Sequence, residues 1–326
     1  MKKVLIAILL LGLLPHASAD YIHWVDFRLS APVLRSALEL DMASQGGEQP
    51  LDWIDILALA AAWRGGTGVT VADTQRAAQV LRGDTPPERL PGMAGRYFSY
   101  YREAYGAALG GLAGHFAIRR TDPQTGEAEW IPAYGLKAFS PIAAGYPWSH
   151  YPDFGAQRSY GYARPHLGND ILGALGTPIC AVEGGTVEAL GWNRYGGWRI
   201  GIRSDDRKRY YYYAHLRKDT PYAEGLAVGQ RVQAGDVIGF MGRTGYSAQE
   251  NVNNIETVHL HFGLQLIFDE SQKECDSEIW IDVYPIIELL ASHCSSVARD
   301  PQTGRWERLY PYCDLDAEPL RSAAAR

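Results

Sequence analysis

The sequence predicts an α+β chain: an N-terminal helical region followed by a small antiparallel β-sheet or partial barrel. Three observations carry that expectation. Apolar residues run thickly through Leu51 to Trp63 and stop at Gly65-Gly66, as a buried helix with a glycine end would. After about residue 130 the texture changes to short strand-like runs, each bounded by Gly, Asp or Asn. One of these, His259 to Leu266, alternates without a break: His259, His261, Gly263 and Gln265 share one face, while Leu260, Phe262, Leu264 and Leu266 share the other.

The elements follow in chain order. Residues 1–19 read as an export signal, with Lys2 and Lys3 ahead of an apolar run from Val4 to Leu14 and the small residues Ala17-Ser18-Ala19 behind it. The run is shorter than the roughly 20 apolar residues that span a bilayer. A cleaved signal is therefore expected, with an uncleaved anchor as the alternative. Removing it takes the formal charge from −6 to −8, because two lysines leave and no acid does. No membrane span is then expected in the mature chain. That balance argues against nucleic acid as a partner, since phosphates call for a basic face. It also argues against adhesion to an anionic wall or membrane by bulk charge. With 46% hydrophobic and 21% charged residues among 326, the composition is that of a globular protein long enough for two domains.

Residues 20–130 are expected to form a helical domain whose role the sequence does not state. Besides the 51–63 stretch, Asp73 is placed to cap a short helix through Leu81 that Gly83 closes. A further stretch, Arg96 to Leu112, carries Tyr97, Tyr100, Tyr101 and Tyr105 at near-helical spacing, which reads as aromatic packing rather than a sugar-binding strip. Residues 131–158, punctuated by Pro132, Pro141 and Pro147, read as an irregular connector. Strands are then expected at 186–190, 198–203, 209–215, 231–232, 237–240 and 259–267. The last segment, 293–326, reads as a C-terminal tail. Of the four cysteines, Cys180 lies in an apolar stretch and reads as a small buried hydrophobe, while Cys294 and Cys313 are the expected disulfide of that tail.

Chemistry concentrates in three short motifs within the β region. In His166-Leu167-Gly168-Asn169-Asp170, an imidazole and a carboxylate four residues apart can converge on one ion, Gly168 allowing the bend. By itself that spacing is weak. In the alternating strand, His259 and His261 stand a pleat apart on one face, where packing residues are seldom both histidine. In Tyr211-Tyr212-Tyr213-Ala214-His215, a continuous strand would point His215 the same way as Tyr211 and Tyr213. Two histidines and one carboxylate leave the fourth position of a zinc ion open for water, the hydrolytic pattern rather than the closed structural one. A further imidazole nearby suits proton transfer.

The stretch from about Tyr160 to Leu266 resembles the lysostaphin-type zinc endopeptidases, the LytM-like family that cuts bacterial peptidoglycan cross-links. The resemblance rests on His166-x-x-x-Asp170, Tyr213-Ala214-His215-Leu216, the glycine ladder from Gly229 to Gly245, and His259-Leu260-His261-Phe262, in that order. It implies a zinc peptidase domain over 159–292, one Zn²⁺ held by His166, Asp170 and His261, and His215 and His259 acting on the water and the oxyanion. With the export signal, it implies a secreted or cell-envelope enzyme acting on peptidoglycan cross-links or stem peptides. The alternative is a non-catalytic relative that binds peptidoglycan or a partner. Such relatives typically lack one of these five residues, and here all five are filled. Carboxypeptidases acting on D-alanyl-D-alanine also use two histidines and an aspartate, but at longer His-to-Asp spacing.

Two features depart from the family pattern. Eleven residues, 248–258, separate Ser247 from His259 where the family has a shorter link. The 20–130 region lies outside the family core. Tyr160 and Tyr162 are candidates for a tyrosine the family often carries before the first metal histidine.

Overall fold

The computed structural model describes residues 21–273 and 277–317. The export signal expected at 1–19 lies outside them. Among the described residues no helix is long and apolar enough to cross a membrane.

Helix α2, Trp53–Arg64, forms the centre of the N-terminal part, with nine of its twelve residues buried. Asp52 caps it by accepting from the Ile54 amide at 2.7 Å, and Gly65 ends it in the left-handed conformation, φ 62°. Around it pack α1 (Ala31–Ser44), α3 (Val71–Leu81) and α4 (Met93–Leu109). Helix α1 is not among those the sequence singles out. Helix α3 starts earlier than expected: Thr70 is its cap, and Asp73 is the reciprocal member of a capping box, three residues in. On α4, Tyr101 and Tyr105 are buried and contact each other at 5.5 Å, and Phe27 meets Tyr105 edge-on, so the tyrosines pack as expected.

The helical reading fails beyond residue 112. Ala113–Thr121 and Ala128–Leu136 are antiparallel strands, and Tyr312–Asp314 pairs with the first of them to make a three-stranded sheet. The alternation of this hairpin is masked by small and charged residues. Pro132 is tolerated because its strand is the sheet's edge. The connector expected from 131 is therefore partly strand, and the segment from 293 is a structured return of the chain, with a second hairpin of Val297–Arg299 and Trp306–Arg308. The expected Cys294–Cys313 bridge is not formed. The Cys294 thiol donates to the Ala291 carbonyl at 3.4 Å, and Cys313 sits on the strand opposite Ala117.

The main sheet is antiparallel and open. Its strands lie in the order Arg231–Val232, Gly185–Asn193, Gly197–Ser204, Arg209–Ala214, His259–Leu266, Asn169–Gly173 and Trp148–His150, with Ile279–Trp280 pairing the far end of 259–266. One face buries Ile200, Ile202, Tyr211, Tyr213, Leu260, Phe262 and Leu264. A single apolar cluster joins this face to the helices, reaching Leu57 and Tyr105 on one side and Ile287 of α5 (Tyr284–Leu290) on the other.

A buried ion pair fastens the two parts together. Arg209, 1% exposed, donates to Glu183 through Nε at 2.7 Å and Nη2 at 3.0 Å, and through Nη1 to the Ala107 carbonyl of α4 at 2.7 Å. Asp206 and the Tyr211 hydroxyl complete the cluster. Gly111 is required where the chain leaves α4, since a β-carbon there would fall 1.7 Å from Glu183 Oε1. Removing one partner strands a charge in low dielectric. Glu183→Ala is expected to lower unfolding free energy by about 3–5 kcal/mol, measured by urea titration; a loss below about 1 kcal/mol would mean the pair holds nothing.

Candidate metal centre

The opposite face of the main sheet forms the floor of a groove of about 360 Å³. Strand register builds its centre. Asp170 lies directly across from His261 in the 169–173 and 259–266 pair, so both side chains rise on the same face as cross-strand neighbours. His166 comes from the segment just before, and Gly168 allows the approach: a β-carbon there would sit 2.7 Å from His261 Cε1 and 2.7 Å from the Phe262 carbonyl. The glycine therefore acts through close passage of the backbone.

Three donor atoms converge. His166 Nε2 lies 2.8 Å from His261 Nδ1 and 3.0 Å from Asp170 Oδ1, and His261 Nδ1 lies 3.2 Å from the same oxygen. A tetrahedral ion with ligands at 2.0–2.1 Å would have edges of about 3.3 Å. Two imidazole nitrogens and a carboxylate oxygen so placed fit one divalent ion, and the groove side of the cluster is left open. His166, Asp170 and His261 are also the group of metal-competent side chains that stands out among the described residues.

Surrounding groups orient this trio. His166 Nδ1 is 3.1 Å from Asp153 Oδ2, leaving Nε2 for the cluster. Asp153 also accepts from Asn169 Nδ2 at 2.8 Å and Arg158 at 3.0 Å, while Arg158 donates to the outer oxygen of Asp170 at 2.8 Å. Asn169 is held in turn by His150, whose other nitrogen meets Glu288 at 2.7 Å. Burial opposes ionisation of Asp170, but His166, His261 and His259 outweigh it and hold the carboxylate well below its usual range. Burial likewise lowers His166, yet hydrogen bonds and charge from Asp153 and Asp170 raise it to about 9. Burial dominates at His261 and carries it below its ordinary value.

His215 and His259 stand beside the trio, ring centroids 4.7 Å apart. The 209–214 strand ends at Ala214, and His215 adopts φ 61°, in the left-handed region. That turn takes its ring away from the buried Tyr211 and Tyr213 and into the groove, against the same-face expectation of an unbroken strand. Its Nδ1 contacts the Thr244 carbonyl at 2.9 Å, and His259 Nδ1 contacts the Thr257 carbonyl at 2.9 Å. A carbonyl can only accept, so each ring donates through Nδ1, and this leaves the Nε2 of the groove-lining His215 free toward the groove. Burial, then His259 and His261, pushes His215 well below its usual pKa, so it stays neutral. His259 Nε2 is 3.7 Å from Asp170 Oδ1, farther than either member of the trio.

All five residues singled out in the sequence meet here. Those missed, Asp153, Arg158, Asn169 and Thr244, belong to no repeated spacing; only Asn169, inside the first motif, had a local signal. Tyr160 stacks on Tyr246 at 4.6 Å, and Tyr246 meets His215 edge-on at 5.9 Å, whereas Tyr162 is largely exposed against Tyr195. The 248–258 segment is tied down beside them: Asn254 donates to the Tyr246 carbonyl, and Asn251 accepts from Trp198 Nε1 at 2.9 Å.

An open antiparallel sheet carrying a His–Asp–His cluster beside two further histidines has the geometry that suits a metal-dependent hydrolase of the peptidase type. The family model described as Peptidase family M23 matches residues 164–274. The L-Ala–D-Glu endopeptidase of Bacillus subtilis (strain 168) is 40% identical over 130 residues, which cover 40% of this chain and 38% of that protein. Lysostaphin of Staphylococcus simulans is 37% identical over 98 residues, 30% of this chain and 17% of that protein. The chain thus spans well under half the length of these relatives. The solved catalytic domain of S. simulans lysostaphin aligns at 28% identity and TM-score 0.33, over 44% of this chain and 92% of that one. The match of residues 164–274 to this family model and the likeness to these relatives support a LytM-like family for that segment.

Two expectations follow. Asp153→Ala frees the His166 ring and should weaken divalent-metal binding about 10–100-fold, read by competition with a chromophoric chelator; unchanged affinity would remove Asp153 from the site. The metal-free protein carries a proton on His166 below pH of about 9, and ligation must expel it. Metal uptake at pH 7 should therefore release about one proton, with affinity falling as pH falls. Calorimetry in two buffers of different ionisation enthalpy checks this, and zero release contradicts it.

Proposed function

We propose that the chain is a secreted, zinc-dependent endopeptidase that hydrolyses peptide bonds in bacterial peptidoglycan. The observation that carries this reading is the convergence of His166, Asp170 and His261 beside a neutral His215 that lines the same groove, with His259 next to it. His166 Nε2, His261 Nδ1 and Asp170 Oδ1 would hold the ion. A bound zinc supplies Lewis acidity and lowers the pKa of water toward 7.

The chain's own groups do the rest. His215, kept neutral by burial and oriented by Thr244, accepts the proton of the attacking water at Nε2 and returns it to the leaving amine. His259, oriented by the Thr257 carbonyl, stands toward the oxygen on which charge develops. Asp153 and Arg158 keep the ligands in place, and the Tyr160–Tyr246 stack walls the groove beside His215. The peptidoglycan substrate is argued from the named relatives, and export from residues 1–19. The peptidase unit is read as 159–292, with the helical part supporting the sheet through Arg209.

Mutation separates the roles. His261→Ala is expected to lose most of its zinc and all measurable wall lysis, since it removes one of three protein ligands. His215→Ala and His259→Ala are expected to keep zinc near the wild-type content while the rate falls about 10²–10⁴-fold. Zinc analysis beside dye release from labelled cell walls reads both. Zinc lost from His259→Ala and kept by His261→Ala would reverse the assignment; a zinc-loaded wild type that releases nothing from any wall would make the chain a non-catalytic relative.

A further inference from the structure

Along the groove floor, away from the metal cluster, Arg199 has no acid partner among the described residues. Register places it: Gly201 pairs with Tyr212, which pairs with Gly263, and these share the groove face with His261. Arg199, two residues before Gly201, therefore rises on that face two strands from His261. At about 4.8 Å per strand, their α-carbons stand about 10 Å apart. Both line the same groove.

The neighbouring cations are engaged. Arg158 pairs with Asp153 and Asp170, Lys273 with Glu188, and Arg164 donates to the Tyr160 carbonyl at 2.6 Å. Glu278 also lines the groove, but its carboxylate accepts from the Trp280 indole at 2.8 Å. Among the described residues no carboxylate pairs with Arg199; its guanidinium hydrogen-bonds the Tyr210 side chain, while its Nε is buried without a hydrogen-bond partner. A buried, unsatisfied guanidinium donor is costly, which calls for a ligand with acceptor oxygens. Glycine opens the space around it. A β-carbon at Gly201 would fall 1.8 Å from the Tyr210 hydroxyl, and one at Gly263 2.8 Å from the Trp280 ring. These two positions let Tyr210 and Trp280 lie low and flank a hollow.

We propose that Arg199 is a specificity-determining residue that takes a free carboxylate of the substrate, so that the groove selects an acidic stem peptide over an uncharged glycine chain. The inference rests on the peptidase reading above and deepens it. Extended peptide advances about 3.3 Å per residue, so the acid sits within about three residues of the bond cut. A glutamate linked into a chain through one carboxyl always leaves its other carboxyl for such a pair, and fork-shaped guanidinium binding suits it.

The test uses two synthetic peptides containing an L-Ala–D-Glu bond, one with the remaining glutamate carboxyl free and one with it amidated, plus a glycine-only peptide. Binding is measured calorimetrically on the full metal-loaded protein, and cleavage by chromatography. The wild type is expected to prefer the free acid over the amide about 10–100-fold in binding. Arg199→Gln should reduce that ratio to below about threefold, and Arg199→Lys should restore part of it. Equal binding of acid and amide by the wild type, or a preference that survives in Arg199→Gln, overturns the subsite. The two readings fail separately. Cleavage of the glycine peptide without acid preference sinks Arg199 and leaves the peptidase; Arg199-dependent acid binding with no cleavage of any peptide or wall sinks the peptidase and leaves the subsite.

Discussion

The centre depends on one cross-strand pair. Asp170 and His261 face each other because the 169–173 strand is registered on 259–266 with Asn169 opposite Phe262 and Leu172 opposite His259. Side chains alternate with a period of two, so a slip of the 169–173 strand by one residue would send Asp170 into the apolar core and Ile171 into the groove. The apolar face of 259–266, buried throughout, guards against that slip. Hydrophobic burial thus sets the metal geometry indirectly, by making a single register affordable.

Electrostatics then refine what register establishes. Four imidazoles and one carboxylate crowd one end of the groove, and the shifts of His166 and His215 run in opposite directions. Asp153 and Asp170 make His166 basic, whereas His215, with only a peptide carbonyl on its outer nitrogen, is driven neutral by burial. One ring type therefore serves two purposes, and the difference lies in the group behind each ring. Arg158 bridges the two aspartates, offsetting charge that the cluster would otherwise hold unshared.

Much of the centre is legible in the sequence because its residues sit on regular elements. The alternation through His259–Leu266 announces both a strand and its exposed face, and His166-x-x-x-Asp170 is local enough to be seen as a unit. What escapes is whatever depends on distant contact. Asp153 comes from a connector that carries no period, and only folding brings it under His166. His215 looks like a strand residue, yet its left-handed backbone, next to Thr244, redirects it. Ala113–Thr121 reads as part of a helical region because its pairing partners, including Tyr312–Asp314, lie elsewhere in the chain. The buried Arg209 is likewise invisible locally, since an arginine after a lysine ordinarily suggests surface.

The strand at Tyr312–Asp314 has a consequence for how the molecule comes into being. Its partner, Ala113–Thr121, is made about two hundred residues earlier, and closing so long a loop is entropically expensive and slow. As the chain emerges from N- to C-terminus, the hairpin at 113–136 has one flank unmatched until Tyr312–Asp314 appears. The small N-terminal sheet therefore works as a late seam: assembly of this part of the protein waits on a strand made about two hundred residues after the hairpin it joins.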